Sequence, residues 1–451
     1  MSRALHVVIL AAGAGTRMRS QKLKVLHPVA GLPMVDHVLR LAQSLQPQQI
    51  TVVYGHQGQQ LIDHLQDHAV NWAEQKQQLG TGHAVQQAAK FFNNEEDVLV
   101  LYGDAPLVQA ADLDGLAGQQ FVLTAELDDP TGYGRIIRQG EHIEAIVEQK
   151  DANAAELAIS EINSGIIQAP ATDLQNWLSR LSNDNQQSEY YLTDVIGLAA
   201  ADGQPFKAVQ LADASAVKGA NDMLQLAELE ALMQQRSREA LMRSGVRMPV
   251  PDSVDIRGTL ECGQDVVIDK GVLFSGDNQL GDGVEIGAHA VIHDCQLAAG
   301  TVVAPLSTLE GVVTTGACSI GPFARLRPGT ELSAGCKIGN FVETKKARLG
   351  QNSKASHLSY LGDAEIGQDV NIGAGTITCN YDGVNKFTTT IKDGAFIGSD
   401  TQLVAPVTVG KNATIGAGST ITKNTPDGQL TLSRTRQKTV DNWQQPKKNS
   451  D

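Results

Sequence analysis

The chain has 451 residues, of which 41% are hydrophobic and 19% charged, so it can bury a large core and is not expected to be disordered. A formal net charge of −14 without a basic cluster argues against nucleic acid as a partner. No stretch approaches the roughly 20 apolar residues that span a bilayer. The five cysteines are odd in number and include no C-x-x-C pair, which argues against disulfides and a zinc site. We therefore expect a cytoplasmic protein with no nucleic-acid and no membrane partner.

The first part of the chain, residues 1–220, alternates short apolar runs with longer amphipathic stretches. Three such runs are His6–Leu10, Ile50–Tyr54 and Val98–Tyr102, each followed by a turn that contains glycine. Strands that alternate with helices predict an α/β domain. We expect a Rossmann-like, mostly parallel sheet with helices on both faces.

Residues 221–250 are predicted to form a linker helix, because the stretch Asn221–Ser244 lacks Pro and Gly and is followed by Gly245. From residue 251 to 451 aliphatic side chains recur at every sixth position. The first series is Ile256, Cys262, Ile268, Phe274, Leu280, Ile286 and Ile292, and further series run from Ile320 to Ile338 and from Ile397 to Ile421. Hexapeptide periodicity predicts a parallel β-helix of about nine or ten coils, with three hexapeptides in each coil and the aliphatic residues inside.

The hexapeptide phase breaks twice, near Leu349–Ile366 and across Thr378–Ile391. Breaks in such repeats are typical of loops on a binding face. We therefore expect the second half to carry its functional residues near these two places.

A glycine-rich turn follows the first predicted strand. It begins Leu10-Ala11-Ala12-Gly13 and offers backbone N–H groups to a phosphate, although the known dinucleotide and ATP-loop patterns are incomplete. Arg17 and Lys24 follow the turn, and two cations suit a triphosphate. The alternatives are a plain tight turn and two solvated surface cations.

Tyr102-Gly103-Asp104 ends another predicted strand. Ligands of open α/β sheets bind at the carboxyl ends of strands, and an aspartate there can hold Mg²⁺. The alternative is a helix-capping aspartate. Three further polar or glycine-bearing turns follow in the first half. The first contains Gln75, Gly80 and Thr81, the second contains Gly134, and the third contains Asn163. Each of these turns alone is also compatible with an ordinary loop.

In the second half, Arg327 and Lys345 are separated by three hexapeptides, the length of one coil, and are predicted to stack on neighbouring coils as a phosphate site. The alternative is a solvated exterior. His357 lies at a phase break, with Tyr360 shortly after it and Asn371 about one coil on, and histidine is the usual general base near neutral pH. A zinc hydratase would need three histidines at one metal, and His289 and His293 are too many coils from His357.

Taken together, these motifs resemble a known family. The motifs of the first half resemble those of sugar-nucleotide pyrophosphorylases in their order and spacing. These motifs are Leu10–Met18, Lys24, Leu79–Gly82, Tyr102–Asp104, Gly132–Arg135, Glu148, Asn163 and Asn221. With the β-helix behind them, residues 5–440 resemble the bacterial bifunctional N-acetylglucosamine-1-phosphate uridylyltransferase/glucosamine-1-phosphate acetyltransferases. The most specific part is Ala355–Gly383.

The resemblance implies a left-handed β-helix, a homotrimer and two reactions. Glucosamine-1-phosphate would be acetylated by acetyl-CoA, and UMP would then pass from UTP to N-acetylglucosamine-1-phosphate with Mg²⁺ present.

The resemblance also implies residue roles in the first domain. Leu10, Ala11, Ala12 and Gly13 would bind the nucleotide, with Arg17 and Lys24 acting catalytically on its phosphates. Gln75, Gly80 and Thr81 would read the uracil. Tyr102, Gly103 and Asp104 would contact the sugar nucleotide, with Asp104 and Asn221 holding Mg²⁺. Gly134, Glu148 and Asn163 would hold the amino sugar.

For the second domain, the resemblance implies that His357 takes the proton of the attacking amine. The sugar phosphate would be bound by Arg327, Lys345, Tyr360 and Asn371. Acetyl-CoA would be bound by Ala374, Asn380, Tyr381, Ser399, Ala417 and Arg434.

Two alternatives stay open. One is a sugar-1-phosphate nucleotidyltransferase whose β-helix serves only oligomerisation, and His357, Tyr360, Asn380 and Tyr381 argue against it. The other is a non-enzymatic β-helix scaffold, against which Asp104 and the cation-bearing loops argue.

Overall fold

The computed structural model describes residues 3–13 and 15–446. Ala14, inside the glycine-rich turn, lies outside the described residues. The chain divides into two compact units, Met1–Gln235 and Arg236–Asp451.

Among the described residues, no helix combines the length and the apolar character needed to cross a lipid bilayer.

Seven α-helices occur in the described residues: α1 Met34–Ser44, α2 Gln59–His64, α3 Thr81–Ala88, α4 Ala154–Leu157, α5 Ala171–Ser179, α6 Asp194–Ala201 and α7 Met223–Arg243. The strands of the first unit are β1 Ala4–Ala11, β2 Pro28–Val29, β3 Leu32–Pro33, β4 Gln49–Tyr54, β5 Asn71–Glu74, β6 Glu96–Tyr102, β7 Phe121–Glu126, β8 Arg135–Gln139, β9 His142–Val147, β10 Glu161–Pro170 and β11 Lys207–Gln210.

Nine of these strands form one sheet in the order β5-β4-β1-β6-β10-β7-β11-β9-β8. Only β10 and β9 run against the other strands of this sheet, as far as the described residues show. The mostly parallel direction predicted from the sequence is thereby confirmed.

The sheet is covered on both faces, as its central strand β1 requires. Val7 and Ile9 point into one core with α1, whereas Val8 and Leu10 point into a second core with α3, α5 and α6. All four side chains are at most 8% exposed. A continuous apolar run is typical of a strand buried on both faces.

The long helix α7 begins at Met223 because Asp222 caps it. The Asp222 carboxylate accepts hydrogen bonds from the backbone N–H groups of Leu224 at 3.0 Å and Gln225 at 2.9 Å. The division between the two units falls inside this helix. Leu229 belongs to a core cluster of the first unit, and Leu241 packs against the core of the second.

The second unit is a parallel β-helix built from short strands. These are β12 Asp255–Cys262, β13 Val267–Ile268, β14 Leu273–Leu280, β15 Glu285–Ile286, β16 Val291–His293, β17 Gln296–Leu297, β18 Val302–Val303, β19 Thr308–Glu310, β20 Val312–Thr314, β21 Ser319–Ile320, β22 Arg325–Leu326, β23 Thr330–Leu332, β24 Lys337–Asn340, β25 Glu343–Leu349, β26 Lys354–His357, β27 Tyr360–Ile366, β28 Asn371–Ile372, β29 Ile377–Cys379, β30 Thr389–Ile391, β31 Phe396–Ile397, β32 Gln402–Val404, β33 Val407–Val409, β34 Thr414–Ile415, β35 Thr420–Ile421 and β36 Leu430–Thr431.

Ten of these strands stack in one sheet, which agrees with the predicted number of coils. The aliphatic residues of the hexapeptide series are buried in one continuous core, except that Cys262 is half-buried and packs against it.

Coil length explains the breaks in phase. Ile320 pairs with Ile338, exactly three hexapeptides on, whereas Ile338 pairs with Ala355, one position short of that length. The break predicted near Leu349–Ile366 is another of these shortened coils, because Leu349 pairs with Ile366. Two further shortened coils, from Ile286 to Val303 and from Val303 to Ile320, were not predicted.

The second predicted break is an insertion. Ile372 pairs with Ile397, so this coil is longer than three hexapeptides, and the extra length forms a loop between Cys379 and Thr389. Within this inserted loop Tyr381 pairs with Lys386.

A buried histidine in β1 generates a prediction about pH. His6 is fully buried, with Nε2 2.8 Å from Thr51 Oγ1 and Nδ1 3.4 Å from Glu96 Oε2. Burial lowers the pKa of His6 below 6.5. Below about pH 6.5 the unfolded chain therefore binds a proton that the folded chain does not, and the free energy of unfolding falls.

His6→Gln should remove this contribution, so the unfolding free energies of the original and variant chains should converge or cross as the pH falls from about 7.5 to about 5.5. Urea unfolding followed by tryptophan fluorescence measures this in the first unit, where Trp177 is fully buried. His68→Gln replaces an exposed histidine and serves as the control. A difference between His6→Gln and the original chain that stays constant with pH would refute the prediction.

Candidate functional site

A cavity of about 380 Å³ lies at the carboxyl ends of β1 and β6 in the first unit. Parallel pairing of Leu10 with Tyr102 brings these ends together, and the N–H of Gly103 donates to the carbonyl oxygen of Leu10 at 2.9 Å. The lining residues are Leu10, Ala11, Ala12, Gly13, Lys24, Val25, Gln75, Gln78, Gly80, Thr81, Ala84, Tyr102, Asp104, Glu189 and Asn221. Most of these were singled out from the sequence, and only Val25, Gln78, Ala84 and Glu189 were not.

Lys24 joins two of these residues at the cavity wall. Its ammonium Nζ donates to Asn221 Oδ1 at 2.9 Å and forms an ion pair with Asp104 Oδ2. The Lys24 and Asp104 side chains are only 14% and 19% exposed. A cation thus lies between a carboxylate and an amide oxygen that are distant from each other in the sequence.

Gln75 and Gly80 build the opposite wall. Gln75 is 3% exposed, and its Nε2 donates to the carbonyl oxygen of Gly80 at 2.9 Å. Gly80 has φ 108°, and a Cβ there would lie 2.5 Å from the carbonyl oxygen of Tyr190. Glycine is therefore required to start α3 at Thr81, whose hydroxyl accepts a hydrogen bond from the N–H of Leu192 at 3.1 Å.

Gly134, Glu148 and Asn163 do not line the cavity but form a cluster beyond Tyr102. The N–H of Asn163 donates to the carbonyl oxygen of Gly134 at 2.9 Å. The Thr193 hydroxyl donates to Glu148 Oε1 at 2.9 Å. Burial raises the pKa of Glu148, and the hydrogen bond from Thr193 opposes this.

The Tyr102 phenol separates the cavity from this cluster. Burial raises its pKa, and the carboxylates of Glu148 and then Asp104 add to the effect. The phenol is therefore kept neutral under the influence of both carboxylates, and its hydrogen bond with the Thr81 side chain opposes the rise in pKa.

Arg17 is placed differently from the other predicted residues of the first unit. It is exposed on a short 3₁₀ turn, Thr16–Met18, and does not line the cavity.

Some residues at the sites of the first unit were not predicted from the sequence, and only some of them lie in a motif that could have indicated them. Gln78 lies in the polar turn between Gln75 and Gly80, and its Nε2 donates to the carbonyl oxygen of Ala12 at 2.6 Å, so this turn could have indicated it. Glu189 and Thr193 stand in a segment without glycine or periodicity, which gave no signal.

In the second unit, three cations lie together. Leu326 pairs with Thr344, which places Arg327 beside Lys345 as the spacing of one coil predicts. The pKa of Lys345 is lowered by contact with Lys386 and then by Arg327. Lys386 was missed because it lies in the inserted loop, although the phase break there was itself a signal. Three cations on an acidic chain suit a phosphate.

His357 ends β26 and is exposed, with Asn340 opposite it on the preceding coil. Asn371 is paired with Lys354 at the start of the same strand, and Tyr360 begins β27. The imidazole is therefore open to a ligand at a corner of the β-helix.

Four residues predicted to bind a coenzyme follow one another along a single edge of successive coils. The carbonyl oxygens of Ala374 and Ser399 accept from the N–H groups of Asp400 at 2.7 Å and Gly418 at 2.8 Å. Arg434 Nη1 donates to the carbonyl oxygen of Ala417 at 2.9 Å.

The other two residues predicted to bind a coenzyme, Asn380 and Tyr381, stand on the inserted loop. Asn380 is 7% exposed and Tyr381 is 59% exposed.

Within residues 3–13 and 15–446, no group of three or more His, Cys, Asp or Glu side chains is arranged to hold a metal ion. The polar wall formed by Asp104 and Asn221 presents a carboxylate oxygen and an amide oxygen to the Lys24 ammonium.

Comparison with known families agrees with the two folds. Residues 7–154 match the MobA-like NTP transferase domain. Residues 388–423 match the bacterial transferase hexapeptide (six repeats).

Curated relatives match along the whole chain. "Bifunctional protein GlmU" of Alkalilimnicola ehrlichii is 53% identical over 451 residues, covering 99% of this chain and 97% of the relative. Proteins of the same name from Stenotrophomonas maltophilia strains K279a and R551-3 are each 55% identical over 455 residues, covering 100% of both chains. At this identity over the full length, the chain belongs to the GlmU family of bifunctional proteins.

Proposed function

We propose that the first unit transfers UMP from UTP to N-acetylglucosamine-1-phosphate and that the second acetylates glucosamine-1-phosphate with acetyl-CoA. As a member of the GlmU family, the chain is a uridylyltransferase and an acetyltransferase. The observation that carries the first assignment is the meeting of Lys24, Asp104 and Asn221 at the cavity wall. We place both reactions in the cytoplasm, in keeping with five free cysteines.

One coupled assay tests the pair of activities. Purified chain is mixed with glucosamine-1-phosphate, acetyl-CoA, UTP and Mg²⁺, and each component is omitted in turn. UDP-N-acetylglucosamine should form only in the complete mixture. If the complete mixture yields no UDP-N-acetylglucosamine although N-acetylglucosamine-1-phosphate with UTP and Mg²⁺ does yield it, the assignment of the second unit is contradicted, and a β-helix that serves only oligomerisation is favoured.

Mg²⁺ fits the residues at the cavity wall. Asp104 supplies a carboxylate and Asn221 an amide oxygen, and both already face one cation, the Lys24 ammonium. Mg²⁺ prefers oxygen ligands and usually takes one or two from protein and the rest from phosphate and water. When bound, Mg²⁺ would neutralise charge on the phosphates.

The chain's own residues then align the substrates. Lys24 and the backbone of the turn at Gly13 bind and orient the triphosphate, and Gln75 binds the uracil. A phosphate oxygen of N-acetylglucosamine-1-phosphate attacks the α-phosphorus of UTP, a new P–O bond forms, and pyrophosphate leaves. Such a reaction depends on alignment and charge neutralisation rather than on a protein nucleophile.

Acetyl transfer is assigned to the corner that carries His357. The sugar phosphate binds to Arg327 and Lys345, and the pantetheine arm of acetyl-CoA follows the edge that includes Ala374 and Ser399. The amine nitrogen bonds to the acetyl carbon, the C–S bond breaks, and coenzyme A leaves as a thiolate that receives a proton. His357 takes the proton that the amine loses.

Asp104→Asn should lower Mg²⁺-dependent uridylyl transfer by about 100-fold or more, because the wall around Lys24 loses its carboxylate while keeping its shape. Pyrophosphate release measures this, and acetyl transfer in the same protein should be unchanged. Asp114→Asn, at an exposed carboxylate nearby in sequence, is the matched control. Near-normal UTP turnover in Asp104→Asn would show that Asp104 has another role.

His357→Ala should lower the kcat of acetyl transfer by about 10²–10⁴-fold, the usual contribution of a positioned general base. The KM for acetyl-CoA should change little, because its contacts are assigned to other residues. Thiol release measures the rate, unchanged uridylyl transfer shows that the first unit is unaffected, and an unchanged assembly mass by light scattering is the control for folding of the second unit. If acetyl transfer survives within a few-fold, another group takes the proton.

An apolar ridge supports the proposed homotrimer. Leu306, Phe323, Phe341 and Leu358 stack on successive coils and are 44–61% exposed. The rings of Phe323 and Phe341 are 5.3 Å apart. A contiguous exposed apolar patch is typical of an interaction surface, and a second copy of the chain would cover it.

Phe341→Asp should reduce the assembly from trimer to monomer, because it places a charge in the middle of the apolar ridge. Light scattering of the purified protein measures the mass. Phe396→Asp, at a phenylalanine that is 49% exposed and outside the ridge, should leave the mass unchanged. A single-chain mass for the active, unsubstituted protein would contradict the proposed trimer.

A further inference from the structure

We propose that Asp363 is a positioning residue of the acetyl-transfer site, which fixes the amide of Asn380 so that its oxygen accepts a hydrogen bond from the substrate's amine. The inference rests on the acetyl transfer proposed above. Asn380 would then orient the sugar in addition to contacting acetyl-CoA.

The central contact joins two neighbouring coils. Asp363 Oδ2 accepts a hydrogen bond from Asn380 Nδ2 at 2.5 Å. Asn380 is 7% exposed, so little solvent competes for its amide. Asp363 has φ 47°, a left-handed backbone conformation that aspartate tolerates better than most residues and that Asp369, with φ 56°, shares.

The backbone before Asp363 is held firmly. Gly362 N–H donates to Thr378 Oγ1 at 2.8 Å, and Thr378 Oγ1 donates to the Gly362 carbonyl oxygen at 2.9 Å. A Cβ at Gly362 would collide with Tyr360 Oη and would lie 2.8 Å from Asn380 Nδ2. Glycine therefore lets the phenol and the amide approach each other, beside Lys345, which pairs with Gly362.

The chemistry of the contact determines how the amide faces. An ionised carboxylate only accepts hydrogen bonds, so Nδ2 must face Asp363 and Oδ1 must face away. Among the hydrogen bonds of the described residues, Asn380 Oδ1 accepts none and is left for a ligand. An amine that attacks a thioester must turn its lone pair toward the acetyl carbon, and an acceptor for one of its N–H groups fixes that direction.

Asp363 also carries charge, which must be separated from its positioning role. Lys386 and then Arg327 lower the pKa of Lys345, and the Asp363 carboxylate opposes them. Neutralising Asp363 would make the three cations Arg327, Lys345 and Lys386 attract phosphate more strongly. A purely electrostatic role therefore predicts a lower KM for glucosamine-1-phosphate with kcat unchanged, whereas positioning predicts a lower kcat.

The first variant is Asp363→Asn in the full chain. We expect the kcat of acetyl transfer to fall by about 10- to 100-fold, the cost of a misplaced reacting group, with the KM for acetyl-CoA within about twofold. Asp369→Asn is the matched control. Asp369 Oδ1 accepts from Asn352 Nδ2 at 3.2 Å, so this control removes a similar inter-coil contact away from the site.

The second variant tests rescue. Asn380→Asp alone sets two carboxylates against each other and should also lose activity. Combined with Asp363→Asn it exchanges donor and acceptor, so that the carboxylate at position 380 keeps an oxygen for the amine. We expect the double variant to recover at least about tenfold in kcat over the Asn380→Asp single variant.

Retention of kcat within about twofold in Asp363→Asn would overturn the proposal, and so would failure of the double variant to recover. The mass of the assembly by light scattering and an unchanged KM for acetyl-CoA report folding of the second unit in each variant, and if Asp363→Asn does not fold, the double variant decides. If the unsubstituted chain shows no acetyl transfer, the proposed function fails, which is a different outcome from unchanged kcat in Asp363→Asn.

Discussion

Parallel strand pairing is the constraint on which both candidate sites depend. In the first unit it aligns β1 with β6, so that Leu10 and Tyr102 end at the same edge and the residues after them share one cavity. In the second unit it repeats through the coils, so that side chains separated by one coil of sequence become neighbours. Both sites are therefore built from residues that local structure alone would never bring together.

This arrangement buries polar groups, and the free-energy cost of removing them from water has to be offset by hydrogen bonds or by opposite charges. Tyr102 and Glu148 both have raised pKa values because they are buried, and the hydroxyl of Thr193 offsets part of the cost at Glu148. In the β-helix the unfavourable interaction is repulsion between like charges, since Lys345 lies beside Arg327 and Lys386. Partners within the chain offset part of this repulsion, since Arg327 Nη1 donates to Glu343 Oε1 at 3.1 Å and the Asp363 carboxylate raises the pKa of Lys345.

The sequence was most informative where a physical period was strict. The hexapeptide repeat predicted the β-helix and its inward aliphatic residues, because each buried position must recur at the same point of a coil. The apolar run ending at Leu10 predicted a buried strand, and the structure shows that it is buried on both faces. The roles of Lys24, Asp104 and Asn221 followed from resemblance, and the structure places these three side chains in contact.

What the sequence could not give were contacts that depend on three-dimensional packing. A shortened coil keeps its core residues buried, so the shortened coils between Ile286 and Ile320 show in the sequence only as a change of phase, because Ile292 and Ile320 are not separated by a whole number of hexapeptides. Glu189 and Lys386 lie in irregular or looped segments, whereas Asp363 lies in strand β27, and its contact with Asn380 depends on the neighbouring coil. Arg17 lies exposed on its turn, and its role toward the phosphates, which followed from the resemblance, stays a prediction.

The coil that carries the inserted loop has a consequence for how the β-helix can vary. Its extra residues leave the stack after Cys379 and return at Thr389, and the pairing of Ile372 with Ile397 is as regular as in uninterrupted coils. The coils that follow keep their register, with Ile397 opposite Ile415. A solenoid whose repeats contact only their neighbours confines such an insertion to one level. The β-helix scaffold that holds His357 can thus be kept while this loop is lengthened or shortened, but Asn380, Tyr381 and Lys386 tie the loop's own composition to the site proposed for acetyl transfer.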